Sequence, residues 1–217
     1  MNPLPEILFE NEHLLVLNKP SGILAEGGGD REEDIEQMAS RLIGRRAFCC
    51  HRLDRLTSGV ILLRKTGRYR VQLAQAFEKR QVRKYYWAVV DGVWDSRIHR
   101  VESEIAPLGK GVWENANNGG KRAVSTFRVL GSCSEKNMSW LGVLLKTGRT
   151  HQARLHCLKE GHPIVGDPLY GRDGKSSFFG LHARELRIRD PDSSEALTFV
   201  AAPPESWSEA LCVFERK

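Results

Sequence analysis

The chain has 217 residues, of which 41% are hydrophobic and 28% are charged, as is typical of a soluble globular protein and not of a disordered chain. The formal net charge of +6 favours a polyanionic partner without proving one, because a modest positive charge also keeps proteins soluble. The five cysteines form no Cys-x-x-Cys pair and are odd in number, which indicates free thiols. With no secretory signal and no apolar run long enough to cross a bilayer, we expect a cytoplasmic protein without a membrane partner.

Two short apolar runs, residues 7–9 and 13–17, predict a β-hairpin at the start of the chain. The turn residues Asn18 to Gly22 end its second strand. Three consecutive glycines then precede a helix, for which we expect Asp30 as the N-cap and Gly44 as the C-terminal stop. The glycines are not followed by Gly-Lys-Ser/Thr, so a phosphate-binding loop is not indicated.

A segment rich in charge, His51 to Gly59, runs directly into the apolar strand Val60 to Leu63. Within it Asp54 lies between Arg52 and Arg55, and nearby positive charge favours an ionised carboxylate. An ionised aspartate can act as a nucleophile, a general base or an electrostatic stabiliser. On these residues alone, a turn cap or a surface ion pair is the better explanation of the pattern.

A second helix is predicted from about Gly67, with Val71, Ala74 and Phe77 as its buried stripe. Its basic residues fall largely outside that stripe, where they form either a solvated face or a surface for phosphate groups. The strand that follows, residues 85–90, is rich in aromatic and β-branched side chains.

Residues 107–122 contain five glycines or prolines and three asparagines, which predicts a long mobile loop. Such a loop either closes on a partner or has no role. The remaining predicted elements are strands at 123–130 and 140–146, a helix beginning at Thr150, strands at 180–188 and 197–200, and a short helix at 206–211.

Four motifs, in this order, resemble those of the RluA-type pseudouridine synthases. His-Arg-Leu-Asp-x-x-Thr-Ser-Gly at 51–59 resembles the segment with the catalytic aspartate, and residues 84–88 resemble the family's Lys-x-Tyr-x-Ala strand. Residues 147–154 and 162–167 resemble its Gly-Arg-Thr-His-Gln-Ile-Arg helix and the turn after it. Leu-His-Ala at 181–183 resembles a late strand, so the likeness runs over nearly the whole chain.

The resemblance implies an α+β fold, with one domain spanning residues 1–217 and a bent, mixed but mainly antiparallel β-sheet flanked by helices. It implies an RNA pseudouridine synthase that isomerises a specific uridine in structured ribosomal or transfer RNA without a cofactor. Asp54 is then the catalytic carboxylate, Tyr86 lies against the uracil, and Arg154 pairs with Asp54. Whether Asp54 adds covalently or removes a sugar proton to give a glycal stays open.

A further set of residues is expected to bind the RNA or to line the base pocket: Arg52, Arg55, Arg149, Leu181, Lys19 and Lys84. A solvated turn lysine is an equally good interpretation of Lys19, and Leu181 fits a plain core position. Because the target base must leave its stack, we expect base flipping from an RNA stem-loop. We expect a monomer, with no small RNA-binding domain before residue 6.

Two rival functions follow from the same residues. A metal-dependent hydrolase would use the histidines with Asp54 and Asp167, but the chain lacks His-Glu-x-x-His and we expect no metal. An RNA-binding module or RNA chaperone without essential catalysis is the main alternative. The presence of Asp54, Tyr86 and Arg154 together argues against that loss of catalysis.

Overall fold

A computed structural model describes residues 4–29, 32–95, 98–172 and 176–215. The chain divides into two compact units: residues 1–84 with 183–203 form the first, and residues 85–182 with 204–217 form the second. In chain order the elements are β1 (Glu6–Glu10), β2 (Leu14–Lys19), α1 (Ile35–Ile43), β3 (Phe48–Cys49), β4 (Ser58–Arg64), α2 (Arg70–Glu78), β5 (Arg83–Asp91), β6 (Ile98–Gly109), β7 (Val112–Ala116), β8 (Lys121–Cys133), β9 (Met138–Leu145), α3 (Gln152–Lys159), β10 (Leu181–Arg189), β11 (Ala196–Val200), a 3-10 turn (Glu205–Trp207) and α4 (Ser208–Glu215).

The sheet of the first unit has the order β1, β2, β4, β10, with β3 beside β4 and β11 beside β10. The predicted N-terminal hairpin is confirmed, because β1 and β2 pair antiparallel from Glu6 opposite Asn18 to Glu10 opposite Leu15. Strand β4 is buried from Ser58 to Leu63, as expected for a central strand. Its side chains therefore form much of this unit's core.

Helix α1 begins at a capping box. The carboxylate of Asp34 accepts from the Gln37 backbone N–H at 3.0 Å, and the Gln37 side chain accepts from the Asp34 N–H at 3.0 Å. Gly44 ends the helix in the left-handed region with a φ of 66°, which confirms the predicted stop. The predicted N-cap, Asp30, lies outside the described residues.

Helix α2 packs through a different face from the predicted one. Val71 is 62% exposed, whereas Leu73 is buried and Ala76 and Phe77 pack against the same core cluster. The helix starts at Arg70, and the spacing from 73 to 76 and 77 places these three side chains on one face. The predicted stripe of Val71, Ala74 and Phe77 is therefore wrong in two of its three members.

The sheet of the second unit has the order β5, β9, β8, β6, β7, and the β6–β7, β6–β8 and β8–β9 pairs are antiparallel. Residues 107–122 are not a mobile loop, which corrects the sequence prediction. Gly109 and Val112 are paired across a two-residue turn, and Lys110 and Gly111 both have positive φ. Such a turn matches the twist of the flanking strands, so this segment is a β-hairpin.

Both units combine strands with helices, so the predicted α+β class is confirmed. In the second unit, α3 begins after His151, which has a left-handed φ of 56°, and not at the predicted start, Thr150. No helix in the described part of the chain is long and apolar enough to span a membrane. The assignment of residues 1–217 to a single domain stays a prediction.

Candidate active site

Asp54 lies in a tight turn between β3 and β4 of the first unit. The backbone N–H of Thr57 donates to the Asp54 carbonyl at 3.0 Å, and β4 starts at the next residue. Only glycine fits at position 59, just after the turn, because its φ is 111° and an added Cβ would lie 2.2 Å from the Ala183 carbonyl oxygen. The half-buried Asp54 is thus held at the start of a buried strand that closely approaches β10.

Lys19 braces the Asp54 turn from inside the first unit. Its Nζ donates to the carbonyls of Pro20 at 2.9 Å, Ile23 at 2.6 Å and Arg55 at 3.0 Å, and the residue has no exposed surface. Burial lowers the pKa of Lys19 to about 7, and the negative charge of Asp54 partly opposes that shift. Lys19 is therefore not a solvated turn lysine, and its ammonium is already engaged by the protein.

The turn at residues 20–23 and the Asp54 turn are joined by three more hydrogen bonds. The backbone N–H of Gly22 donates to the Arg55 carbonyl at 2.9 Å, and Arg55 Nε donates to the Gly22 carbonyl at 3.0 Å. Ser21 Oγ donates to the Leu56 carbonyl at 2.6 Å. These contacts leave the backbone around Asp54 little freedom to move.

His51 anchors the beginning of the same segment. Its Nε2 accepts the backbone N–H of Leu62 at 3.1 Å, and its ring stacks on Phe77 at a centroid distance of 4.9 Å. Burial, with a smaller contribution from the charge of Lys84, lowers the pKa of His51 to about 4. The imidazole is therefore neutral at physiological pH and acts as a structural acceptor.

Arg52 and Arg55 are exposed on either side of Asp54 in the sequence. Each guanidinium lies near a glutamate: Arg52 Nη1 is 3.6 Å from Glu26 Oε1, and Arg55 Nη1 is 3.1 Å from Glu32 Oε2. The first unit thus brings Lys19, Asp54 and Arg55 together at one turn.

Arg154 forms a buried bidentate ion pair with Asp167 in the second unit. Its Nε donates to Oδ2 and its Nη2 to Oδ1, both at 2.7 Å. The guanidinium also lies over the rings of Tyr170 at 4.9 Å and Phe179 at 5.5 Å. The motif resemblance pairs Arg154 with Asp54, whereas in the structure Asp167 occupies the Nε and Nη2 edge of the guanidinium.

Asp167 and Tyr170 connect Arg154 to the rest of the second unit. Asp167 Oδ1 also accepts the backbone N–H groups of Leu169 and Tyr170. The Tyr170 hydroxyl accepts the N–H of Trp113 at 2.9 Å, and it lies 2.8 Å from Nδ1 of His151. Through Asp167 and Tyr170, the Arg154 side chain is therefore linked to His151, just before α3, and to Trp113 in strand β7.

The other predicted residues are distributed over both units. Tyr86 is a buried residue of β5, Leu181 is the buried first residue of β10, and Arg149 is half-buried just before α3, all in the second unit. Lys84 is half-buried and belongs to the first unit. Among the residues that the structure describes, no group of three or more His, Cys, Asp or Glu side chains could hold a metal ion.

Comparison with known proteins decides the family. Residues 13–159, more than half of the chain, match the family model described as RNA pseudouridylate synthase. The chain belongs to this family. It is therefore a pseudouridine synthase, an isomerase that converts uridine in RNA to pseudouridine, and RNA is its partner. The resemblance found in the sequence motifs is confirmed.

Several curated relatives are similar over most of the chain. A dual-specificity RNA pseudouridine synthase RluA of Haemophilus influenzae is 34% identical, with 93% of this chain and 94% of the relative covered. A ribosomal large subunit pseudouridine synthase C of Vibrio cholerae is 35% identical over 94% of this chain and 67% of its own length. The structure is also similar to human RNA pseudouridylate synthase domain containing 1, with a TM-score of 0.82, 24% identity and coverage of 98% and 90%. At that identity the likeness shows the fold alone.

A buried polar network of the synthase was missed in the sequence. Gln152 accepts from Thr147 Oγ1 at 2.6 Å and donates to Ser125 Oγ at 2.9 Å. Ser125 Oγ is in turn 2.9 Å from Nδ1 of His156, whose Nε2 is 3.0 Å from Ser103 Oγ. This network ties α3, which carries Arg154, to β6 and β8. Its members are spread over more than 50 residues, so only the Gln in the Gly-Arg-Thr-His-Gln motif gave a local signal.

Proposed function

We propose that Asp54 is the catalytic carboxylate of this pseudouridine synthase and that its substrate is a specific uridine in a stem-loop of ribosomal or transfer RNA. The observation that carries the proposal is the way the Asp54 turn is held, by Lys19 and by the turn at residues 20–23, while its arginines stay exposed. Catalytic groups need such fixed positions, because small displacements greatly reduce rates. Relatives named for ribosomal RNA and for transfer RNA support the substrate class.

The reaction breaks the C1′–N1 bond, turns the uracil and forms a C1′–C5 bond. It is an isomerisation that balances without a redox partner or group donor, so we propose that no cofactor takes part. Asp54 acts at the sugar or the base, as a nucleophile or as a base. Tyr86 is proposed to lie against the uracil, with its hydroxyl available for the C5 proton.

Arg154 is proposed to orient Asp54. Since Asp167 holds the Nε and Nη2 edge, this interaction would use the Nη1 side of the guanidinium, and Asp167 would act through Arg154 as a positioning residue. Leu181 is proposed as an apolar wall of the base pocket.

The RNA is proposed to reach this site with its target base flipped out of the stack, since the reacting bond is otherwise shielded. Arg52, Arg55, Arg149 and Lys84 would contact phosphate groups around that base. For Lys19 we propose a positioning role beneath the Asp54 turn in place of an RNA contact, because its three donors already bind carbonyls. The monomeric state and the cytoplasmic location stay predictions.

The test compares wild type with Asp54→Asn, which preserves shape and removes the charge. RNA from a strain lacking the gene is incubated with each protein, and pseudouridine is then mapped by carbodiimide modification and primer extension. We expect Asp54→Asn to bind this RNA and to form no product, whereas Asp95→Asn, a change at an exposed carboxylate, stays active. Pseudouridine formed by the Asp54→Asn protein would refute the assignment.

A further inference from the structure

Two glutamates of one segment neutralise the two arginines that flank Asp54. Glu26 and Glu32 both lie between β2 and α1, and they form the ion pairs with Arg52 at 3.6 Å and with Arg55 at 3.1 Å. An RNA phosphate and a carboxylate bind a guanidinium through the same N–H donors. Glu32 therefore lies within hydrogen-bond distance of an Arg55 donor, and Glu26 at 3.6 Å offsets the charge of Arg52, at the two groups that the proposed function gives to the RNA.

These ion pairs are arranged so that they can exchange. The side chains of Arg52 and Glu26 are 67% and 44% exposed, and those of Arg55 and Glu32 are 55% and 36% exposed. Exposed ion pairs are weak and are screened by salt, so a competing anion can displace them at little cost. The buried pair of Arg154 and Asp167 cannot exchange in this way.

The glycines that follow Glu26 bring the backbone there close to Glu32 and to the start of α1. Between the two glutamates, Gly27 and Gly29 have positive φ values of 87° and 59°, and a Cβ on Gly28 would lie 2.1 Å from the Glu32 carbonyl oxygen. The N–H of Gly28 donates to Asp34 Oδ2 at 3.0 Å, which fastens the segment to the start of α1. The glycines thus allow a compact fold that a larger residue at position 28 would break.

We propose that Glu26 and Glu32 are specificity-determining residues that compete with RNA phosphates for Arg52 and Arg55. An RNA that places phosphate groups at both guanidinium positions displaces both carboxylates, whereas an RNA that reaches only one leaves the other pair intact. Discrimination against poorly fitting RNA follows, because each binding event must replace an existing ion pair. This inference rests on the proposed function, in which the two arginines contact the RNA.

The competition leaves a signature in the salt dependence of binding. An arginine that stays paired with its glutamate neutralises no phosphate, so it releases none of the counterions condensed on the RNA. Removing both carboxylates should therefore make the logarithm of the affinity fall more steeply with the logarithm of salt concentration. For single-stranded RNA the slope should steepen by up to about 1.4, or about 0.7 for each new contact.

The experiment measures the binding of a fluorescein-labelled RNA hairpin with a uridine-rich loop by anisotropy over a KCl series. It compares wild type, Glu26→Gln/Glu32→Gln, and the control Glu33→Gln, whose single lost charge gives the gain in affinity per charge that net charge alone produces, to be counted twice for the double variant. Glu33 is the neighbour of Glu32 but pairs with Arg41 of α1 at 3.0 Å, so the control removes a charge from the same segment without freeing an arginine beside Asp54. We expect the double variant to bind about two- to fivefold tighter per freed arginine at low salt, with the gain lost at high salt.

The outcomes separate this inference from the proposed function. If the double variant binds no tighter than the Glu33→Gln gain counted twice, or if its salt slope equals that of wild type, the competition is refuted while pseudouridine formation by wild type still supports the function. If wild type binds the hairpin but forms no pseudouridine in cellular RNA, the function fails and the competition is still decided by the binding data. If wild type binds no RNA, both are overturned.

Discussion

The replacement of Lys19 by methionine tests whether the Asp54 turn needs its internal brace. Methionine has a similar length without charge, so the change removes the hydrogen bonds to the carbonyls of Pro20, Ile23 and Arg55. The Arg55 carbonyl keeps the N–H of Gly22 as a donor, so two carbonyls lose the ammonium. At about 1 to 3 kcal/mol for each buried acceptor, this loss costs about 2 to 6 kcal/mol.

A second effect of nearly equal size acts in the opposite direction. The pKa of Lys19 falls from 10.5 to about 7 because the charge is buried, which corresponds to about 5 kcal/mol at about 1.4 kcal/mol for each pH unit. Methionine relieves that cost. The net change in the free energy of unfolding should therefore lie between a gain of about 3 kcal/mol and a loss of about 1 kcal/mol, a small change as often happens when a buried charge is replaced by an apolar group of similar volume.

Activity should respond much more strongly than stability. Without the ammonium, the Asp54 turn and the turn at residues 20–23 lose a shared donor, and a displacement near 1 Å can lower the rate about 100-fold. Release of tritium from RNA labelled at C5 of uridine measures kcat and KM, and urea denaturation measures stability. We expect kcat to fall and KM to change little.

The matched control is Lys65→Met, which removes another nearly buried lysine of the first unit. Lys65 pairs with Glu10 at 2.6 Å just after the end of β4, while the Asp54 turn precedes its start, so this variant should keep full activity. A Lys19→Met protein with normal kcat would refute the positioning role. A loss of stability far above about 2 kcal/mol would show that the relief of the buried charge does not offset the lost hydrogen bonds.

Two further predictions concern the second unit. Asp167→Asn should cost about 3 to 5 kcal/mol of unfolding free energy, because the buried Arg154 charge loses its bidentate partner. Glu160→Gln changes the half-buried pair with His99 and should cost less than about 1 kcal/mol. Equal costs in denaturant titrations would contradict this. Burial lowers the pKa of His156 from 6.5 to about 4. Below pH 6.5 the unfolded chain therefore binds a proton at this histidine that the native protein does not bind. About 3 kcal/mol of stability is lost as the pH falls from 6.5 towards 4. The fall should be smaller in His156→Asn than in wild type when unfolding is measured across that range, and an unchanged fall would exclude His156 as its source.

The sequence predicted the elements whose signal is local. The N-terminal hairpin, the Gly44 stop and the buried strand after Gly59 all follow from hydrophobic pattern and turn residues within a few positions. The hairpin from Pro107 to Ala116 was misread because its turn needs positive φ, so its composition resembles that of a loop. Pro107 is compatible with a strand there, since its segment pairs with β7 at the edge of the sheet.

The pairing of charges could be predicted only in part. Both Arg154 and Asp167 stood in motifs that were recognised, but their contact joins a helix to a later turn, and the sequence offered Asp54 as an equally good carboxylate. The glutamates near Arg52 and Arg55 were missed for the same reason, because they come from a segment more than 20 residues away. In helix α2, nine residues were too few for the periodicity to select between two neighbouring faces.

Thr57, three residues after Asp54, is buried, and its Oγ1 has no hydrogen-bond partner among the described residues. A valine would fill the same volume without an unsatisfied hydroxyl, at a saving of about 1 to 3 kcal/mol from a total that is usually about 5 to 15 kcal/mol. The Asp54 turn is thus less stable with threonine at position 57 than it would be with valine. A search for thermostabilising substitutions should therefore find some at Thr57. Because Thr57 lies three residues after Asp54, each of them needs an activity measurement before it is accepted.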